Sequence, residues 1–213
     1  MFWVESDRRA LEAALALYRA SFEKSSIPEA RVRALLEDGT YRLALDGAGA
    51  DVRAMALVAR FPAERFAHLD YIATAAPERR RGAASRLVRF LVEDARREGL
   101  AALTLETEDA MSSFYGKRGA LLLAGLPYVF PSPTHGPLPM QVMAFALDGL
   151  PTIDRARVTE LVRAIYRVIH ARSEPDPILD SILSRIPARI ALEAITLDAI
   201  ALDATTLDPR ARR

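Results

Sequence analysis

The stretch Pro77-Glu-Arg-Arg-Arg-Gly82-Ala-Ala-Ser-Arg-Leu-Val88 decides how the rest of the chain is read. Before it, Ala67-His-Leu-Asp-Tyr-Ile-Ala-Thr-Ala75 predicts a strand. After it, Ala83 to Gly99 predicts a helix with Ala84, Leu87, Val88, Leu91 and Ala95 on one face and its charged residues mostly elsewhere. A glycine where a strand gives way to a helix has a chemical meaning. The first helical turn presents unpaired N–H groups carrying partial positive charge, so an anion is stabilised there. Gly82 removes a side chain where a phosphate would approach, small Ala84 keeps the next turn close, and Arg79, Arg80 and Arg81 can add charge-assisted hydrogen bonds. The competing reading is a solvated arginine run opening an ordinary helix, and the stretch alone does not separate the two.

Composition narrows the choice. The chain has 213 residues, of which 51% are hydrophobic, enough for one sizeable core plus an extension, or for two small domains. A formal charge of +1 leaves no global basic field, so nonspecific nucleic-acid binding is not expected and any phosphate affinity is local. The absence of cysteine excludes disulfides and thiolate chemistry, and His68, His135 and His170 show no ligand spacing, so no metal is expected. Acidic and basic residues interrupt the N-terminal apolar run, which predicts an amphipathic helix capped by Ser6 or Asp7, with Leu11, Ala14, Leu15, Tyr18 and Phe22 on one face. No run approaches the ~20 apolar residues of a membrane span. A cytoplasmic protein without membrane association is the expectation.

Outward from the opening stretch, Pro28 begins a second helix that Gly39 ends, and Tyr41–Leu45 and Val52–Phe61 predict a hairpin turning at residues 46–50. Downstream come a strand over Ala101–Thr107, a short helix over Asp109–Arg118, a strand from Ala120 to Leu123, a Pro-rich loop over Pro127–Pro139 and a strand over Met140–Leu147. Helices then feed the chain end: Thr152–Arg172 is helical in pattern, and Pro175-Asp-Pro177 breaks it. From Arg189, four near-copies of a five-residue unit (RIALE, AITLD, AIALD, ATTLD) follow, whose period suits neither helix nor flat strand. They are taken as a low-complexity tail or docking arm rather than a solenoid.

The order of elements, the Arg79-x-x-Gly82-x-Ala84 pattern, the strand Leu103-Thr-Leu-Glu-Thr-Glu and the helix end Phe114-Tyr-Gly-Lys-Arg-Gly-Ala120 together resemble the Gcn5-related N-acetyltransferase (GNAT) superfamily over about residues 7 to 147. That resemblance implies the acyl-CoA N-acyltransferase fold, an α/β (α+β) architecture with a central mixed, mostly antiparallel sheet flanked by helices. It places an acetyltransferase domain at 1–148 and a C-terminal extension, helical and then pentapeptide-like, at 149–213. It implies acetyl-CoA as co-substrate, held by Ile72, Ala73, Thr74, Arg79, Arg80, Arg81, Gly82, Ala83, Ala84, Ser85 and Tyr115. Three departures stand out: Phe2-Trp-Val4 is a meagre first strand, Glu108 replaces a frequent asparagine, and Ala120 replaces an aromatic.

Acetyl transfer to an amine needs a base, an oxyanion donor and a proton for the thiolate. By period two His68, Asp70, Ile72 and Thr74 share one face of their strand, which makes His68 and Asp70 candidate bases, with Glu106 on the neighbouring strand a third. Tyr115 matches the family's general acid. Each has a structural alternative: an ion-paired carboxylate, a buried strand histidine, a core aromatic. Tyr128, Phe130 and His135 of the Pro-rich loop shape an acceptor pocket or else cover a sheet edge. The partners expected are a small-molecule or peptide amine and, as an option, a second copy in a homodimer. The alternative function is a catalytically silent acyl-CoA-binding or partner-docking module.

Overall fold

The computed structural model describes residues 1–4, 7–22, 27–132 and 136–195. In chain order they form β1 (Phe2–Trp3), α1 (Arg8–Ser21), α2 (Glu29–Glu37), β2 (Tyr41–Ala48), β3 (Asp51–Phe61), β4 (Phe66–Thr74), α3 (Ala83–Arg97), β5 (Ala102–Thr107), α4 (Asp109–Gly116), β6 (Leu121–Leu123), β7 (Val129–Ser132), β8 (Gly136–Pro139), β9 (Gln141–Ala146), β10 (Thr152–Asp154), α5 (Arg155–Val168), α6 (Pro177–Arg185) and β11 (Arg189–Glu193). Nine strands make one sheet in the order β1-β2-β3-β4-β5-β9-β6-β11-β10. Its pairs are antiparallel except β4–β5. This is the mixed, mostly antiparallel sheet flanked by helices that the sequence implied.

Amphipathicity decides which face each helix covers. Asp7 caps α1 by accepting hydrogen bonds from the N–H groups of Arg9 and Ala10, and the helix turns Ala10, Ala14, Leu15 and Tyr18 inward. These pack with Leu43, Leu57 and, from α5, Val158, Val162 and Ile165 on one face of the sheet. The opposite face carries α3, whose Leu87, Val88 and Leu91 join Ala56, Val58, Leu69 and Leu103. No helix among the described residues is long and apolar enough to cross a membrane.

Several local expectations change. The hairpin turn is tighter than predicted because β2 continues through a bulge at Asp46/Gly47 to Ala48. Gly47 lies at φ 147°, and a Cβ there would sit 2.0 Å from the Asp51 carbonyl oxygen, so only glycine fits. The Pro-rich loop contains a two-stranded hairpin, β7–β8, in which Pro131 faces Pro137. The helix expected from Thr152 starts at Arg155, after β10. The first pentapeptide unit is a strand: β11 pairs with β10 through Ile190↔Ile153 and with β6 through Leu192↔Leu123, and Ile190 is buried. Period five is irrelevant to a single five-residue copy flanked by two partners. Residues 196–213, with most of the remaining copies, lie outside the described residues.

Candidate active site

In the β3–β4 ladder Leu57 faces Tyr71 and Val58 faces Leu69, which leaves Asp70 as the extra residue of a β-bulge. The parallel β4–β5 pairing ends at the same point, at Leu69↔Leu105, although β4 runs on to Thr74 and β5 to Thr107. Beyond Leu69, β4 therefore has no paired residue in β5. The bulge also corrects the period-two expectation. Asp70 and Tyr71 both face the α1 side, where the Tyr41 hydroxyl donates to Asp70 Oδ2 and Tyr18 meets the Tyr71 ring edge-on, whereas Ile72 packs with the α3 cluster. His68 and Asp70 thus share a face, but Ile72 and, opposite Ala54, Thr74 do not share it with them.

Asp70 lines a cleft of about 310 Å³ with Arg31, Tyr71, Phe130, His170 and Arg172 among its walls. Burial pushes its carboxyl up to about 7, against the opposing hydrogen bond from Tyr41, and the Glu106 charge pushes in the same direction as burial. Behind it lies a polar network. The Tyr128 hydroxyl donates to Glu106 Oε1 at 2.5 Å, and His170 Nε2 lies 3.1 Å from that oxygen and 2.9 Å from the phenol. Burial pushes Glu106 up, but His170, His68 and the Tyr128 hydroxyl outweigh it and hold the carboxyl below its usual range. His68 is buried, with Nδ1 3.0 Å from Thr104 Oγ1 and Nε2 3.9 Å from Glu106. Since the Thr104 hydroxyl donates to the Ala67 carbonyl, it accepts at His68 Nδ1, which assigns the proton to that nitrogen. Burial pulls His68 down to about 4, so it is neutral at neutral pH. Two carboxyls in one neighbourhood are thereby driven apart, Glu106 toward the anion and Asp70 toward a proton-exchanging range.

The opposite side of the sheet carries the glycine turn. Gly82 is the N-cap of α3 at φ 83°, a conformation glycine adopts without strain, and no side chain caps the helix. The first-turn N–H groups at Ala83, Ala84 and Ser85 are therefore open to an anion. Arg79, Arg80 and Arg81 are exposed, and Arg81 reaches Glu78 at 3.3 Å. Three arginines that the motif did not single out are fixed beside them. Buried Asp46 holds Arg86 at 2.7 Å and Arg53 at 2.6 Å, and Arg86 Nη1 donates to the Arg81 carbonyl. Arg118 donates to Ser85 Oγ from Nε at 3.0 Å and from Nη2 at 2.5 Å, while its guanidinium lies 3.7 Å from the Phe114 ring centre. Tyr115 is buried edge-on to Phe114, and burial pushes its phenol up to about 12.

The fold thus brings together Asp70, Glu106 and His68 on one side of the β4–β5 parting, and Gly82 to Ser85 with Arg118 on the other side. Phe130 lines the cleft, Tyr128 sits in the network behind it, and His135 lies outside the described residues. Sequence reasoning missed Arg31, Tyr41, Arg118 and His170. An isolated histidine 64 residues beyond Glu106 carries no spacing signal, because tertiary packing alone makes it a neighbour.

A family model described as the acetyltransferase (GNAT) family matches residues 9–120. Among solved structures, an acetyltransferase of the GNAT family from Bacteroides thetaiotaomicron superposes with a TM-score of 0.65 at 17% identity, covering 81% of this chain and 100% of its own. An aminoglycoside 6'-N-acetyltransferase complexed with coenzyme A gives 0.56 at 15% identity, covering 71% and 99%. The ribosomal-protein-S18-alanine N-acetyltransferase of Escherichia coli gives 0.55 at 20%, covering 68% and 93%. No curated protein matches by sequence.

Proposed function

The chain belongs to the GNAT family of acetyltransferases, and from that premise we propose that it transfers an acetyl group from acetyl-CoA to a primary amine by direct attack on the thioester. The observation that carries this reading is the bulge at Asp70, where the only parallel strand pair among the described residues parts and a carboxyl that burial pushes up to about 7 faces the cleft. Acetyl-CoA supplies a thioester carbonyl that an amine can attack. The uncapped first turn of α3, at Gly82 to Ser85, has the open N–H groups that a pyrophosphate requires, with Arg79, Arg80 and Arg81 as added cations. Arg118, bonded to Ser85, extends that set. Asp70 removes the proton from the amine; the N–H groups of Ile72 to Thr74 serve the developing oxyanion; Tyr115, protonated throughout the neutral range, returns a proton to the departing sulfur. Glu106, His68, His170 and Tyr128 set the charge felt by Asp70.

Thermal stabilisation by acetyl-CoA, followed by thiol release across a panel of amines, tests this reading. Stabilisation with no thiol release on any amine would replace it with an acyl-CoA-binding module, and no stabilisation at millimolar ligand would remove both. Gly82→Glu places a side chain at positive φ and a negative charge where phosphate is expected, so the thermal shift with acetyl-CoA is expected to vanish while the ligand-free melting temperature falls only slightly. Tyr115→Phe is expected to lower kcat about 10²-fold and to retain the thermal shift, because it removes a proton donor without touching the anion cradle.

A further inference from the structure

The cleft in front of Asp70 has an uneven distribution of charge. Arg172, on one wall, is neutralised by Asp176 at 2.5 Å. Arg31, on another, is not. Its neighbour on α2, Arg33, pairs with both Glu12 and Glu29, but Arg31 has no carboxylate partner among the described residues. Its Nη2 donates to the Val168 carbonyl at 2.8 Å, which ties it to the end of α5, and its Nε is buried without an acceptor. An arginine that lines a cleft without a carboxylate partner keeps donors to spare on its guanidinium, and a carboxylate is the group whose geometry matches them. Asp70 faces the same space from β4 and feels the Arg31 charge without forming an ion pair with it.

The rest of the wall is mostly apolar: beside His170 and Ser132, Tyr71, Phe130, Pro131, Ile169 and Ile178 contribute rings and branched chains. A cleft of about 310 Å³ holds about ten waters at ~30 Å³ each, the scale of one small molecule. A separated cation and acid with an apolar wall between them complement a molecule that carries an amine, a carboxylate and an apolar side chain. We infer that the acceptor is a free α-amino acid with an apolar side chain, its carboxylate bound by Arg31 and its amino group presented to Asp70. This inference rests on the acetyltransferase reading above. A polyamine or aminosugar would meet the unpaired Arg31 and find Asp70 as its main anionic contact, so the cleft disfavours it.

The test compares acetyl-CoA-dependent thiol release with free leucine and phenylalanine against release with leucinamide and phenylalaninamide, in the full chain and in Arg31→Met. The full chain is expected to prefer the free acids by about 10- to 100-fold in kcat/KM, and Arg31→Met to reduce that ratio to near unity. The amide carries the less basic amine, so a preference for the acid cannot come from a larger neutral fraction. Equal use of acids and amides by the full chain would overturn the inference and leave the acetyltransferase reading standing. A preference that survives Arg31→Met would also overturn it, since another group would then bind the carboxylate. Stabilisation by acetyl-CoA without release on any amine would instead sink the acetyltransferase reading, and the inference with it.

Discussion

Asp70→Asn is expected to lower kcat/KM by about 10²- to 10⁴-fold, because it removes the proton acceptor and keeps the side-chain volume. In the unsubstituted protein kcat/KM should rise with pH through about 7, as the carboxyl loses its proton, on top of any contribution from the amine. Tyr41→Phe supplies the internal control. The Tyr41 hydroxyl stabilises the ionised carboxylate, so its loss should move the acidic limb upward, not downward. The sign for stability follows from the same shift. A folded-state pKa raised from 3.8 to about 7 means that Asp70 favours the folded state at low pH and that this contribution is lost as pH rises through about 7. Asp70→Asn should therefore gain stability relative to the parent as pH rises from about 4 to about 7, while losing activity. A variant that keeps its rate within a few-fold, with the limb unmoved, would remove Asp70 from the mechanism.

Removing residues 149–213 is expected to leave no folded acetyltransferase domain. The extension contributes Val158, Val162, Ile165, Tyr166, Ile169, Leu179, Ile182 and Ile190 to the same core cluster as Leu15, Leu43 and Leu57. Its strand β11 also covers the edge of β6, and Tyr166 donates a hydrogen bond to the Val129 carbonyl. Truncation would uncover Leu123, Tyr128 and Val142. At about 1.5–3 kcal/mol for each large side chain, that exposure and the lost strand pairing approach the whole stability of a domain, about 5–15 kcal/mol. Circular dichroism and a urea titration of the 1–148 fragment check this. A fragment with a cooperative transition and parental stabilisation by acetyl-CoA would show the two parts to be separable.

The legible features were those with a local cause. The spacing of Leu87, Val88, Leu91 and Ala95 announced α3 and its buried face, and all four lie in the core. The glycine turn could be read because positive φ at Gly82 and the open first turn depend on one residue and its neighbours. The cleft side was legible only in part. Period two correctly put His68 and Asp70 on one face and wrongly carried that face on to Ile72, because an inserted residue in one strand shows only when its partner is known. The chain from Ala67 to Ala75 carries no mark at Asp70 that predicts the bulge.

What the sequence by itself determined was most of the helices and strands up to residue 147, their family resemblance and the glycine turn before α3, because helix periodicity and a glycine's backbone freedom act over a few residues. Tertiary structure alone decided that Arg31, Asp70 and His170 share one cleft, that Glu106 stays ionised beneath them, and that Arg189–Glu193 is a strand. These depend on side chains far apart in the chain meeting in a low-dielectric interior, where burial and a neighbouring charge set protonation, and on a strand edge at β6 that accepts whatever segment the fold brings beside it.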